Sequence, residues 1–409
     1  MGMAVKDTAD NLLESEVTAT HTARNEPIHI LFLIDTLCES GGAERMLLNM
    51  IRLLPKSRFR CSVATFRIDT RVPIFADLPC PLEVLPLRKT YDWSAVKVAW
   101  RLRNFIRAEK VSIVHTFFET SDLWGGLIAK SAGNPILVSS RRDMGILRST
   151  KHKLAYKPMG RLFDLVLTVS EQVRHFCIQE DGVDPVKVVT LHNGIEREKL
   201  NTSEDRQQLR VAAGLEGASG VVTTLGHIRK VKGIDIFLRA AAIVRSQFPN
   251  AMFLVAGDIS EAQHFKELEE LVESLDLTTN VRFLGNQENV AGLFKMSDVF
   301  CLLSRSEGFS NALVEAMAAG LPCVATRVGG NAEAVLDRES GYLVENEDVT
   351  NAAECIVRLL RNPELGRRMG QAGRRIVDEK FTAEVMIRTL VRIYDGLLNA
   401  RRQYIRTNG

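Results

Sequence analysis

At 409 residues the chain is too long for one ordinary hydrophobic core and fits two domains. Its 45% hydrophobic and 25% charged residues are globular composition, and a formal net charge of +3 excludes a molecule that binds polyanions with its whole surface. Seven scattered cysteines, odd in number and without a Cys-x-x-Cys pair, argue against a zinc site and a secreted disulfide framework, and fit a reducing cytoplasmic setting.

Residues 1–25 carry Asp7, Asp10, Glu14 and Glu16 where an export signal would be basic and then apolar, so a disordered tail is expected. No apolar run approaches the roughly 20 residues needed to cross a bilayer. After the tail, short β-branched runs alternate with helix-patterned segments. The expected order is strand 28–34, helix 43–54, strand 61–66, a weak strand near 82–87, helix 94–109, strand 111–115, helix 121–132, and strands 135–139 and 165–169. A polar stretch near 195–219 interrupts the pattern, which restarts with strand 220–225 and helix 233–246. Strand 252–256, helix 261–274, strand 281–284, helix 289–296, strand 299–303, helix 312–319 and strand 322–326 follow, then helices beyond 350. Continuous apolar runs separated by helices imply parallel sheets with right-handed crossovers. The expected fold class is α/β, with two Rossmann-like open parallel-sheet domains facing across a cleft. The first domain spans 26–200 and the second 201–380, with a C-terminal helix at 381–409 packing back on the first domain.

Open parallel sheets bind ligands beyond the carboxyl ends of their strands, so chemistry should sit there. The richest strand end runs from Leu303 to Glu315. Ser310 and Asn311 are good helix N-caps, and the amides of Ala312 and Leu313 are expected to be free at a helix start suited to a diphosphate. Glu307 in the loop and Glu315 one turn into the helix can accept hydrogen bonds from sugar hydroxyls, one from a hexose and the other from a ribose. Two glutamates at this spacing would, alone, more often be structural. The strand end at Gly226 carries Arg229 and Lys232, cations able to neutralise a pyrophosphate leaving group, or else a solvated basic loop. In the first half, Gly41 and Gly42 open a helix after strand 28–34 and allow close backbone approach to a ligand. His115 ends strand 111–115, a position that turns a usually structural residue toward ligand contact. Gly329, Gly330 and Glu333 follow strand 322–326 and form either a cleft floor or tight turns. Asp-x-Asp, His-Glu-x-x-His, the dinucleotide glycine fingerprint, the P-loop and the Ser-centred elbow are all missing.

These residues resemble the GT-B-fold retaining glycosyltransferases of group 1, also called glycosyltransferase family 4, over about residues 28–395. The carriers are the Glu-x7-Glu segment Glu307 to Glu315 with its Gly308-Phe309-Ser310-Asn311 interior, Gly41-Gly42-Ala43-Glu44-Arg45, His192-Asn193-Gly194, Gly226 with Arg229 and Lys232-Gly233, and Gly329-Gly330 with Glu333. The resemblance implies that Glu307 holds the donor hexose, Glu315 the ribose, and Arg229 and Lys232 the diphosphate. Backbone groups from Gly308 to Leu313 would line the sugar and phosphates, Gly42 would meet the donor, and His115 would touch the sugar near the reaction centre. It also implies transfer with retention, no cofactor beyond the nucleotide-sugar co-substrate, and no divalent metal. Many members of that family have Gly-Arg where this chain has Gly226-His227, a departure that leaves Arg229 as the substitute for that arginine.

The acceptor would be a glycan or lipid-linked molecule in cell-surface polysaccharide or glycolipid synthesis, with no role for nucleic acid. Residues 141–161 contain Arg141, Arg142, Arg148, Lys151, Lys153, Lys157 and Arg161 against one acid, Asp143. They are either a peripheral contact with an anionic membrane or lipid-diphosphate, or a solvated basic helix. The competing functions are a GT-B-fold sugar-nucleotide epimerase, a phosphorylase, and a non-catalytic sugar-nucleotide-binding protein.

Overall fold

The expected alternation folds into two parallel sheets in a computed structural model that describes residues 26–37, 42–68, 78–145 and 150–408. The tail 1–25 and Gly41 lie outside these residues. The chain divides into one unit of residues up to Gly194 together with Ala383 onward, and a second unit from Ile195 to Thr382.

The first unit carries seven strands: β1 (Ile28–Leu37), β2 (Phe59–Ile68), β3 (Leu82–Val84), β4 (Ile113–Phe117), β5 (Ile136–Arg141), β6 (Leu165–Thr168) and β7 (Val188–Thr190). All are parallel, in the order β3-β2-β1-β4-β5-β6-β7. The order reverses direction between β1 and β4, which makes their carboxyl ends the sheet's switch point. There Asp35 accepts hydrogen bonds from the amides of Thr120 and Ser121, at 2.9 and 2.6 Å. The helix Ala383–Asn408 belongs to this unit. Its Met386, Ile387, Leu390 and Tyr394 share one buried core with Ile30, Phe32 and Met50.

The second unit carries β8 (Gly220–Leu225), β9 (Ala251–Ala256), β10 (Val281–Gly285), β11 (Val299–Leu302), β12 (Cys323–Thr326) and β13 (Gly341–Val344). They too are parallel, in the order β10-β9-β8-β11-β12-β13. Its switch point lies between β8 and β11. Strands β8 and β9 and their helices Ile234–Arg245 and Ala262–Ser274 match the expected positions within a residue or so. The sequence reading lacks the helices Glu171–Gln179 and Arg206–Ala212 and the short strands β7 and β13. The second of these helices is held by Arg210, whose Nη2 lies 2.7 Å from Asp298.

His115 departs from expectation. β4 continues to Phe117, so His115 is a mid-strand residue and not a strand end. It is 0% exposed, stacks on Phe117 at 4.9 Å, and bonds the Tyr394 hydroxyl through Nδ1 at 2.6 Å and Ser140 Oγ through Nε2 at 2.8 Å. A neutral ring donates through one nitrogen and accepts through the other, and both hydroxyls can take either role. With both nitrogens occupied and no exposed surface, His115 ties the last helix to the sheet and does not present itself to a sugar. Burial, reinforced by the charge of Arg142, pushes its pKa down to about 3.

Two outcomes follow for stability. Tyr394→Phe leaves a buried ring nitrogen unpartnered and should cost about 1–3 kcal/mol in urea unfolding of the first unit. Because the unfolded ring binds a proton below pH 6.5 and the folded ring resists it, the stabilisation is complete above that pH. It should fall by about 1.4 kcal/mol per pH unit on acidification toward pH 3. His115→Gln should flatten that slope.

Candidate functional site

Two loops meet at the switch point of the second sheet. After β8 the chain passes Gly226, His227 and Arg229, makes one tight turn at Lys230–Lys232, and enters the helix Ile234–Arg245 through Gly233. Gly233 is left-handed, with φ 62°, and a Cβ there would stand 2.0 Å from the carbonyl oxygen of Leu303 at the end of β11. Only glycine allows that approach. The Arg305 amide donates to the Val231 carbonyl at 2.8 Å, a second tie between the loops. The Arg305 side chain adds a third: it bonds both oxygens of Asp235 at 2.8 Å, Glu347 at 2.6 Å and the Lys230 carbonyl at 2.7 Å. Burial alone would raise the Asp235 pKa, but the bonds and charge of Arg305 hold it below its usual value.

On this frame Lys232 and Glu307 come together. Lys232 Nζ donates to the two oxygens of Glu307 at 2.7 and 3.0 Å, and Ser304 Oγ donates to Oε1 at 2.6 Å. Glu307 is 9% exposed. A carboxylate so withdrawn from water needs a cation and hydrogen-bond donors, and it has both. Arg229 is exposed, and its side chain forms no hydrogen bond or ion pair among the described residues. His227 lies 3.4 Å from Ser260 Oγ through Nδ1.

The far side of the Glu307 loop is fixed by the turn after β12. Gly329, with φ 53°, lies so close that a Cβ would stand 1.9 Å from the Glu307 carbonyl oxygen, and the Gly330 amide donates to the Gly308 carbonyl at 2.8 Å. Gly329 and Gly330 are therefore the packing surface for the backbone of Glu307 and Gly308. Thr326, the last residue of β12, donates through Oγ1 to the Ser304 carbonyl at 2.6 Å.

The helix Asn311–Ala318 starts as its sequence suggests, with Ser310 as the cap. The expectation of a free Leu313 amide is corrected, because that amide donates to Ser310 Oγ at 3.3 Å. The Leu313 side chain is fully buried, and Phe309 is buried against Phe381 with ring centres 5.2 Å apart. Both support the loop from behind. Asn311 and Glu315 are half-buried, Glu315 one turn beyond the helix start. Gly226 donates its amide to the Ala256 carbonyl at 2.9 Å. Gly42 begins the helix Gly42–Leu53 in the first unit.

The basic stretch 141–161 is only partly as expected. Arg141 is 2% exposed; its Nη1 lies 3.0 Å from the buried Asp122 carboxylate, and its guanidinium covers the Tyr156 ring at 3.8 Å. Arg142 bonds Asn193 at 2.6 Å. Neither is offered to an anionic surface, since both are used inside the first unit. Leu147 and Arg148 lie outside the described residues, as do the side chains of Lys151, Lys153 and Leu154.

Two six- and seven-stranded parallel sheets, each reversing its strand order at one switch point, define a two-domain α/β protein of Rossmann-like units. The family model "Glycosyl transferases group 1" matches residues 205–376 and "Glycosyltransferase Family 4" matches residues 40–199. The chain belongs to the group 1 glycosyltransferases of GT-B fold. It is 36% identical over 238 residues to the N-acetyl-alpha-D-glucosaminyl L-malate synthase of Bacillus anthracis, covering 58% of this chain and 60% of that one. It is 27% identical over 337 residues to the Escherichia coli UDP-Gal:alpha-D-GlcNAc-diphosphoundecaprenol alpha-1,3-galactosyltransferase, covering 78% and 84%. Among solved structures, Anabaena Alr3699/HepE in complex with UDP and glucose superposes with a TM-score of 0.80 at 22% identity, over 90% of this chain and 99% of that chain.

Gly329→Ala should force the Glu307 carbonyl away and cost about 1–3 kcal/mol in the unfolding of the second unit. Gly217→Ala, where a Cβ meets nothing within 4 Å, should be close to neutral in the same thermal melt.

Proposed function

We propose that this protein is a hexosyltransferase that moves a hexose from a nucleotide-diphosphate sugar to a glycan or lipid-linked acceptor, with retention and without a divalent metal. The observation that carries the reading is the Lys232–Glu307 pair, held at the switch point of the second sheet beside an exposed Arg229. An ammonium has three donors, and Glu307 engages at most two of them, so one is left for a phosphate oxygen. Arg229 supplies a second cation. The start of the helix Asn311–Ala318 adds the positive end of a helix dipole. Together these groups stabilise the negative charge that builds on a departing diphosphate, the part a metal plays elsewhere.

Glu307 accepts hydrogen bonds from the donor hexose, and its contact with Lys232 fixes the carboxylate's orientation before the sugar arrives. Glu315 takes the ribose hydroxyls. The backbone from Gly308 to Asn311, with Gly226 opposite, lines the sugar and phosphates. His115 has no part in the reaction. In the retaining step of this reading the acceptor oxygen bonds the anomeric carbon on the face the diphosphate leaves, and the acceptor proton passes to a departing phosphate oxygen. Products named for the curated relatives, among them a galactosyl transfer to a diphosphoundecaprenol-linked sugar, support a sugar-nucleotide donor and a lipid-linked acceptor. A cytoplasmic enzyme working at a membrane in cell-surface polysaccharide or glycolipid synthesis fits that chemistry.

Incubation with a panel of nucleotide sugars and lipid-linked acceptors should give a glycosylated product. Glu307→Gln and Lys232→Met should each lower kcat/KM by about 100-fold or more, the scale of losing one preorganised charge partner. Arg229→Ala should act in the same direction. A nucleoside diphosphate at about 100 times its Kd should add about 2.7 kcal/mol of stability to the parent protein and much less to Lys232→Met. Full activity in Glu307→Gln would remove the reading.

A further inference from the structure

The helix Trp93–Ala108 has two opposed faces. Ala95, Val98, Leu102 and Ile106 are buried, at the i, i+3, i+7 and i+11 spacing that packs one stripe onto the first unit. The opposite stripe holds Trp93, Val96, Lys97, Trp100, Arg103 and Arg107, all exposed. Trp93 is 85% exposed, Trp100 67%, and Tyr91, just before the helix, 82%. Indole and phenol rings bury most of their surface in ordinary proteins, and three of them standing in water within ten positions is an unpaired apolar surface. Trp124 joins Tyr91, Trp93 and Val96 in lining a shallow hollow beside this face.

Among the described residues, the unpaired charge on this face of the helix is positive. Lys97, Arg103 and Arg107 continue the aromatic face along the helix, and among the described residues their side chains form no ion pair. Lys89 lies 5.7 Å from the centre of the Tyr91 ring. The acids nearby are already used. Asp92 caps the helix by accepting from the Ala95 amide at 3.1 Å and from Ser94 Oγ at 2.5 Å, and Glu83 pairs with Arg101 at 2.5 Å. The cap matters here, because it fixes the start of the helix and so the direction in which Trp93 points.

We infer that this face of the helix Trp93–Ala108 docks the protein onto an anionic lipid surface, with Tyr91, Trp93, Val96 and Trp100 entering the headgroup layer and Lys89, Lys97, Arg103 and Arg107 meeting lipid phosphates. Tryptophan and tyrosine suit that layer because each has an apolar body and a polar edge, and basic side chains extend from it to the phosphates. A docked helix lies flat, which agrees with the absence, among the described residues, of any helix long and apolar enough to span a membrane. The surface differs from the 141–161 stretch, whose Arg141 and Arg142 are turned inward. It is independent of the Glu307 site, so failure of either leaves the other standing.

The test is co-sedimentation of the full chain with vesicles of phosphatidylglycerol mixed with phosphatidylcholine, against phosphatidylcholine alone. The variants are Trp93→Ser with Trp100→Ser, Arg103→Glu with Arg107→Glu, and Lys157→Glu with Arg161→Glu as the control. Circular dichroism should show all three folded, since the altered side chains are exposed. Binding should require phosphatidylglycerol, weaken with salt, and fall by about tenfold or more in the first two variants while the third binds like the parent. Tryptophan emission should shift to the blue on binding and lose that shift in the first variant, where Trp124 alone remains. Unchanged binding in the first two variants, loss confined to the third, or a self-association that Trp93→Ser with Trp100→Ser abolishes without any dependence on vesicles would each overturn the inference.

Discussion

A carboxylate held away from water has to be paired, and the pairing of Glu307 with Lys232 organises the second unit around it. The two residues are 75 positions apart and leave different strands of the sheet. They meet because Gly233 lets one loop touch the end of β11, and because Gly329 lets the turn after β12 press against Glu307 from the other side. Arg305 then ties the two loops through Asp235, Glu347 and the Lys230 carbonyl. The glycines bring the backbones together, and the ion pair converts that approach into a defined orientation of charge. A site assembled before its ligand arrives loses less entropy on binding and aims its charges in advance.

The first unit uses buried polar groups in a different way. His115 bonds a tyrosine on the last helix, and Arg141 forms an ion pair with Asp122 while its guanidinium covers an aromatic ring. The first fills both hydrogen-bonding positions of a buried ring, and the second offsets a buried charge with its opposite. These contacts fasten elements together and leave the ligand surface to others. The exposed aromatic and basic face of the helix Trp93–Ala108 is such a surface.

Much of this was legible in the sequence. The runs at 220–225 and 252–256 are continuous and apolar, as strands buried on both faces must be, and β8 and β9 lie there. Ser310 reads as a cap because its hydroxyl can reach an amide three residues on, and it does. The short strands β7 and β13 have three and four residues, too few for a periodicity to show. His115 was misplaced because a polar residue inside VSIVHTFF looks like the end of an apolar run. Its partners Ser140 and Tyr394, 25 and 279 residues away, show that it is an interior position. Arg141 misleads for the same reason: in a row of basic residues nothing marks the one whose partner, Asp122, is buried with it. Local pattern exposes strand ends and caps. Pairing between distant polar residues becomes visible only once the chain has folded.

A structure of the protein with a nucleotide sugar bound would test the central claim most directly. The account predicts the diphosphate within hydrogen-bonding distance of Lys232 Nζ and the Arg229 guanidinium, a hexose hydroxyl on Glu307, and the ribose on Glu315. A donor bound with its diphosphate at the β1–β4 switch point of the first sheet, and Lys232 still paired only with Glu307, would contradict it.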